Sequence, residues 1–94
     1  MHNVVHDKDN KRFLIQDQDS IAAEMTYVTS TASLYIIDHT FVNTAYRGQG
    51  LGDLLVEAMV EYARENGIKI LPLCPFAKGR FQQRAELGDV LHQS

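Results

Sequence analysis

Tryptophan is absent, cysteine occurs once, and proline occurs only twice. A single thiol, Cys74, excludes an internal disulfide framework, so the chain must hold together by packing. No run of eighteen apolar residues is present, which excludes a membrane-spanning helix. A basic excess is missing as well. Nine Lys and Arg face twelve Asp and Glu, a net charge of −3, which argues against a nucleic-acid or membrane-surface partner. The start, Met1-His2-Asn3-Val4-Val5-His6-Asp7, is polar and lacks the apolar core of a secretory signal. These absences together point to a reducing cytoplasm. His2 and His6 stand four apart without further ligands, so no metal site is expected. Ninety-four residues suffice for one core, and residues 1–94 are expected to form a single, monomeric domain.

What is present sorts into alternating elements. Lys11 to Gln16 carries Phe13, Leu14 and Ile15, a short strand, and Asp17-Gln18-Asp19-Ser20 is a turn. Ile21, Ala23, Met25 and Tyr27 then alternate with Ala22, Glu24, Thr26 and Val28, which predicts a second strand with one core face. After a turn over residues 29–33, Leu34-Tyr35-Ile36-Ile37 is apolar on both sides and runs on through His39, Phe41 and Val42. Such a strand is expected to be central and covered on both faces. Leu51, Leu54, Leu55, Ala58, Met59, Tyr62 and Ala63 form one helical stripe, stopped by Asn66-Gly67. Ile68 to Leu73 is a last short strand. Strand, helix and strand in this order predict a parallel pair with a right-handed crossover. Pro72 and Pro75 imply that this strand ends or leaves its neighbour there. Phe76 to Arg84 and the segment holding Leu87, Val90 and Leu91 suggest short helices, each interrupted by a glycine.

The most informative segment is Tyr46-Arg47-Gly48-Gln49-Gly50-Leu51-Gly52. Glycine-rich backbone can take left-handed angles and lie close against a ligand. A helix starting at once adds unpaired N–H groups and the positive end of its dipole. That combination holds a phosphate. The spacing is not Gly-x-Gly-x-x-Gly, and no Gly-Lys-Ser/Thr follows, so neither a dinucleotide fold nor a P-loop fits. A bland reading is a glycine turn that merely starts a helix.

The pattern Arg47-x-x-Gly50-x-Gly52, between a strand and a helix, resembles the pyrophosphate loop of the GNAT superfamily of acyl-CoA-dependent N-acetyltransferases. His39-Thr40-Phe41-Val42, Ala63-Arg64-Glu65-Asn66-Gly67 and Pro72-Leu73-Cys74-Pro75-Phe76 are similar to a minimal, single-domain subgroup of these proteins. Glu86-Leu87-Gly88-Asp89-Val90-Leu91 looks like a variant of that subgroup's Pro-Glu-Tyr-x-Asp ending, with Ala85 and Leu87 in place of the proline and tyrosine. The resemblance implies an α/β fold: a mixed sheet of three antiparallel strands, then a βαβ unit, one long helix and short C-terminal helices. It implies acetyl-CoA as acyl donor, with no metal. The diphosphate would lie on the N–H groups of Gly48, Gln49, Gly50, Leu51 and Gly52. The pantetheine arm would run between the strands ending near Val42 and Cys74, with the thioester near Phe41 and residue 74.

Acetyl transfer needs an amine to lose a proton, an oxyanion to be stabilised and a thiolate to leave. In larger relatives a Glu before the loop often serves as base and a late Tyr as acid. Here no Tyr follows Tyr62, and Asp38 and His39 precede the loop. Cys74 and His39 are therefore the candidate catalytic pair, since a thiol beside an imidazole ionises readily and thiolate accepts acyl groups. The competing reading makes Cys74 an inert buried residue. Arg47 either pairs with a phosphate oxygen or braces the loop. Lys78 and Arg80 either reach the CoA 3′-phosphate or are simply solvated. The implied function is transfer of an acetyl group to an amine of unidentified kind. The alternative is a non-catalytic CoA-binding or interaction module, because the chain has no room for the helices that shape the acceptor pocket in larger relatives.

Overall fold

The computed structural model describes residues 3–92. The alternating segments form strands β1 (Val4–Asp7), β2 (Arg12–Asp17), β3 (Ser20–Thr31) and β4 (Leu34–Val42). Then follow helix α1 (Leu51–Asn66), strand β5 (Lys69–Pro72), helix α2 (Pro75–Gln83) and a 3-10 segment, Ala85–Val90. The strands make one five-stranded sheet in sequence order, with β4 and β5 parallel and the other pairs antiparallel. The βαβ unit and mixed sheet are therefore as the sequence implies. Strand β1 is an addition, because its histidine counts as polar in a sequence pattern. In the fold His6 is an aromatic. It stacks on Phe13 at 4.0 Å, meets Tyr62 edge-on at 4.5 Å, and shares a 2.7 Å hydrogen bond with the Tyr27 hydroxyl. His2 lies outside the described residues.

One face of the sheet packs on the helices. Phe13, Ile15, Ala23, Met25, Tyr27, Ile37 and Ile70 bury against α1, and Ala77, Phe81, Leu87 and Val90 close the same core. Each fully buried Leu, Ile or Met there contributes about 1.5–3 kcal/mol. The buried arc of α1 is wider than the expected stripe. Val56 and Val60 are buried, whereas Leu54, Ala58 and Tyr62 are half-buried. The reason is that α1 meets the C-terminal elements as well as the sheet. Helix α1 stops at Gly67, whose left-handed φ of 67° lets its N–H reach the Ala63 carbonyl.

The expectation that β4 is covered on both faces needs correction. Ile37 is buried against the helices, but Ile36 is half-buried and Phe41 is 44% exposed. Val5, Leu14, Glu24 and Phe41 form one cross-strand row on the other face, and Arg12, Thr26 and His39 the next. No described helix roofs that face. Both helices end on the same side because Gly52 of α1 seats the Phe76 ring of α2. A Cβ at residue 52 would come within 2.8 Å of Phe76 Cε2 and closer still to Cζ. Ion pairs Asp53–Arg80 (2.6 Å) and Glu57–Arg84 (3.0 Å) repeat the helix–helix contact one turn apart.

Two outcomes follow from this packing. Burial, and secondarily the nearby Lys8 charge, hold the His6 pKa below its ordinary value, against a smaller upward pull from Asp7. A depressed histidine pKa means the fold favours the neutral ring. That stability is fully present above the unfolded pKa of about 6.5 and is lost as pH falls through the folded value. The melting temperature should therefore fall on acidification from pH 7 to 5, and His6→Gln should flatten the fall; an equal fall in the variant contradicts this. Gly52→Ala sets a helix-propensity gain of about 1 kcal/mol against an overpacking cost of about 1–3 kcal/mol. We expect a net loss near 1 kcal/mol by thermal denaturation, whereas a raised melting temperature would mean that the Phe76 ring yields freely.

Candidate functional site

The glycine loop is anchored on both sides before it reaches α1. Asn43 accepts the Ala45 N–H at 3.0 Å and caps a 3-10 turn, Thr44–Tyr46. The Tyr46 hydroxyl donates to Asp17 at 2.6 Å, tying the turn to the β2–β3 hairpin, and that bond raises the phenol pKa. Gly48 and Gly50 then take left-handed φ values of 84° and 73°. Residues with a Cβ rarely adopt such angles. Gly50 is the N-cap of α1 and supplies no side-chain cap. The first N–H groups of α1 therefore have no intrahelical acceptor, and no cap side chain competes for them.

These groups open on a cleft of about 300 Å³ lined by Val42, Tyr46, Arg47, Gly48, Gly50, Leu51, Gly52, Asp53, Phe76 and Arg80. A larger hollow of about 420 Å³ lies along β1 and β2. There Arg12 is already paired, with Asp7 at 3.0 Å and with Glu24 at 2.6 Å. The loop cleft combines exposed Arg47 with main-chain donors, so anion chemistry belongs there.

Beside the cleft, the sheet comes apart. Ile37 is the last β4 residue paired with β5, opposite Pro72. Its carbonyl accepts both the Leu73 N–H at 2.9 Å and the Cys74 N–H at 3.2 Å. On the other side of β4 the register shifts at the same point, from Tyr27↔Ile37 to Thr26↔His39, leaving Asp38 as an extra residue. Such a bulge bends its strand. Asp38 to Val42 continue along β3 alone, so a wedge opens between β4 and the chain leaving β5.

Cys74 stands where the wedge begins. It is the N-cap of α2, its Sγ accepts the Ala77 N–H at 3.5 Å, and Pro75 occupies the first helical position. Across the wedge, Thr40 Oγ1 lies 3.2 Å from Sγ. The expected Cys74–His39 pair is not formed. Thr40 pairs in register with core residue Met25, and His39 with Thr26, so adjacent residues of β4 face opposite ways. His39 is exposed on the unroofed face, as is Phe41.

Among the sequence-predicted residues, Val42, Arg47, Gly48, Gly50, Leu51 and Gly52 gather around one cleft. Gln49 is exposed at the loop tip, and Lys78 is exposed on α2. Residues not foreseen are Thr40, Tyr46, Asp53 and Phe76. Asp53 and Glu57 on α1 match Arg80 of α2 and Arg84, the cap at its end, by equal spacing of four, a pattern visible in the sequence. Thr40 could have been found only with the strand facing known.

Comparison with known proteins agrees with this architecture. A family model described as GCN5-related N-acetyl-transferase matches residues 12–90. A GCN5-like candidate N-acetyltransferase from Staphylococcus aureus, solved by NMR, is 34% identical, with 98% of this chain and 89% of that chain covered and a TM-score of 0.79. A candidate acetyltransferase from meticillin-resistant S. aureus shares the fold at TM-score 0.66 and 13% identity, over 92% of this chain and 89% of that one. N-acetylglutamate synthase from Neisseria gonorrhoeae, solved with coenzyme A and N-acetyl-glutamate, also shares the fold. Its TM-score is 0.64 at 17% identity, covering 82% of this chain but 19% of that one. No curated protein matches the chain. With the loop, the wedge and a family match over most of its length, the chain belongs to the GCN5-related N-acetyltransferase family.

Proposed function

We propose that the protein binds acetyl-CoA in the loop cleft and the wedge and transfers the acetyl group to an amine. The observation that carries this reading is the adjacency of two main-chain features. An uncapped helix N-terminus behind left-handed Gly48 and Gly50 suits a diphosphate. The free β4 edge beyond Ile37 suits an amide-bearing arm that bonds like a strand. The CoA found in the gonococcal synthase supports the choice of ligand at the level of the shared fold.

In this reading the diphosphate takes N–H bonds from residues 48–52, and Arg47 adds charge. The pantetheine amides pair with β4 between Asp38 and Val42, which puts the thioester near Phe41 and Cys74. Cys74 then acts in one of two ways. As acid, its S–H protonates the CoA thiolate as the C–S bond breaks, while the amine nitrogen forms the new C–N bond and the proton it sheds returns to the Cys74 sulfur. As acceptor, the Cys74 sulfur attacks the thioester carbonyl and its proton passes to the CoA sulfur as the C–S bond to CoA breaks; the amine then attacks acetyl-Cys74, forming the C–N bond while its proton returns to the freed Cys74 sulfur. The Ala77 N–H and the Thr40 hydroxyl orient the sulfur in either case. His39 is no partner of that sulfur; it would act only on an amine arriving from the unroofed face.

Intact mass after incubation with acetyl-CoA tests the chemistry. A gain of about 42 Da that vanishes in Cys74→Ala supports acyl capture by this thiol. Tight binding with no mass change and no acetylated amine would favour a CoA-binding module without catalysis. For the binding mode, Gly50→Ala forces a Cβ into a left-handed position that costs about 1–2 kcal/mol per residue. Calorimetric affinity for acetyl-CoA should drop about ten-fold or more in this variant. An unchanged affinity would remove the loop backbone from the site.

A further inference from the structure

The diphosphate cleft carries a charge of the wrong sign. Asp53 lies in the first turn of α1, among the N–H groups that would hold the phosphates. A carboxylate there suits the helix dipole but competes with an anionic ligand for the same positive end. Arg80 of α2 faces it, with Nε 2.6 Å from Asp53 Oδ1. Both of these atoms are buried from solvent and meet as an ion pair without hydrogen-bond geometry, although the Asp53 and Arg80 side chains as wholes are 39% and 32% exposed.

The Arg80 guanidinium is unusually well fixed. Its plane covers the Phe76 ring with its carbon 4.7 Å from the centroid, and Nη1 donates to Gln83 at 2.9 Å. Phe76 in turn rests on Gly52, so the stack places a rigid cation at the edge of the loop rather than on a free side chain. Arg47, by contrast, is exposed, and its backbone N–H donates to the Thr44 carbonyl.

We propose that Arg80 is the specificity-determining cation of the diphosphate site, and that Asp53 is its counter-ion when the site is empty. Ligand binding transfers Arg80 from carboxylate to phosphate, so Asp53 weakens affinity and Arg80 restores it. Arg80 is thus a reader of the diphosphate and not, as a solvated or 3′-phosphate residue would be, indifferent to it. This rests on the acetyl-CoA reading above.

The two sides of one ion pair then have opposite effects, which a purely structural pair cannot have. Calorimetric titration of wild type, Arg80→Gln and Asp53→Asn with CoA, 3′-dephospho-CoA and pantetheine reads this directly. Arg80→Gln should bind CoA and dephospho-CoA about ten-fold more weakly, and Asp53→Asn about three-fold more tightly. Pantetheine, which lacks the diphosphate, should bind all three proteins alike. Weakening in both variants, or an Arg80→Gln loss confined to CoA and absent with dephospho-CoA, overturns the assignment while leaving the acetyl-CoA reading intact. Unchanged affinity in Arg80→Gln does the same. Failure of the wild type to bind CoA overturns that reading and this inference together.

Discussion

The carbonyl of Ile37 is the point on which the site depends. It accepts the N–H groups of the two residues that follow β5, Leu73 and Cys74, and after it the parallel ladder ends. The Asp38 bulge bends β4 at the same place, and Pro72 and Pro75 limit how far β5 could follow. An unpaired strand edge presents free N–H and C=O groups. A ligand carrying its own amides would pair with them, which is the basis for proposing a pantetheine-like arm in the wedge.

Everything else in the site is placed by this parting. Below it, β4 and β5 are parallel, so α1 must cross over on one face, and its N-terminus arrives beside the open end of β4. Chain leaving β5 turns straight into α2, with Cys74 as its cap, and the Gly52–Phe76 contact docks α2 on α1. A glycine is needed at 52 for packing, whereas Gly48 and Gly50 are needed for backbone angle. Three glycines close together therefore serve two different constraints, and the helices stay on one side while the other face of the sheet remains unroofed. An acceptor approaching from that face would meet Phe41 and His39 before any enclosing element.

Much of this was legible in the sequence because it is periodic or local. The stripe on α1, the alternation of β3, and the glycine loop each show in a few consecutive residues. What was hidden depended on facing and register. His6 was passed over because its aromatic stacking needs Phe13 and Tyr62 to be near in space. The pairing of Cys74 with Thr40 instead of His39 turns on a single step along β4, where one residue changes the face. The apolar character of Ile36 and Phe41 suggested a second covering layer. The fold leaves that face open instead, with Ile36 half-buried and Phe41 exposed.

The central claim is that one ligand spans the glycine loop and the β4–β5 wedge. Titrating isotope-labelled protein with acetyl-CoA and following backbone amide resonances tests it most directly. Such a ligand should give saturable shifts at residues 48–52 and, in parallel, along 38–42 and at 73 and 74, with none at the distant His6–Tyr27–Tyr62 cluster. Shifts confined to the loop, centred on that cluster, or absent altogether would contradict it.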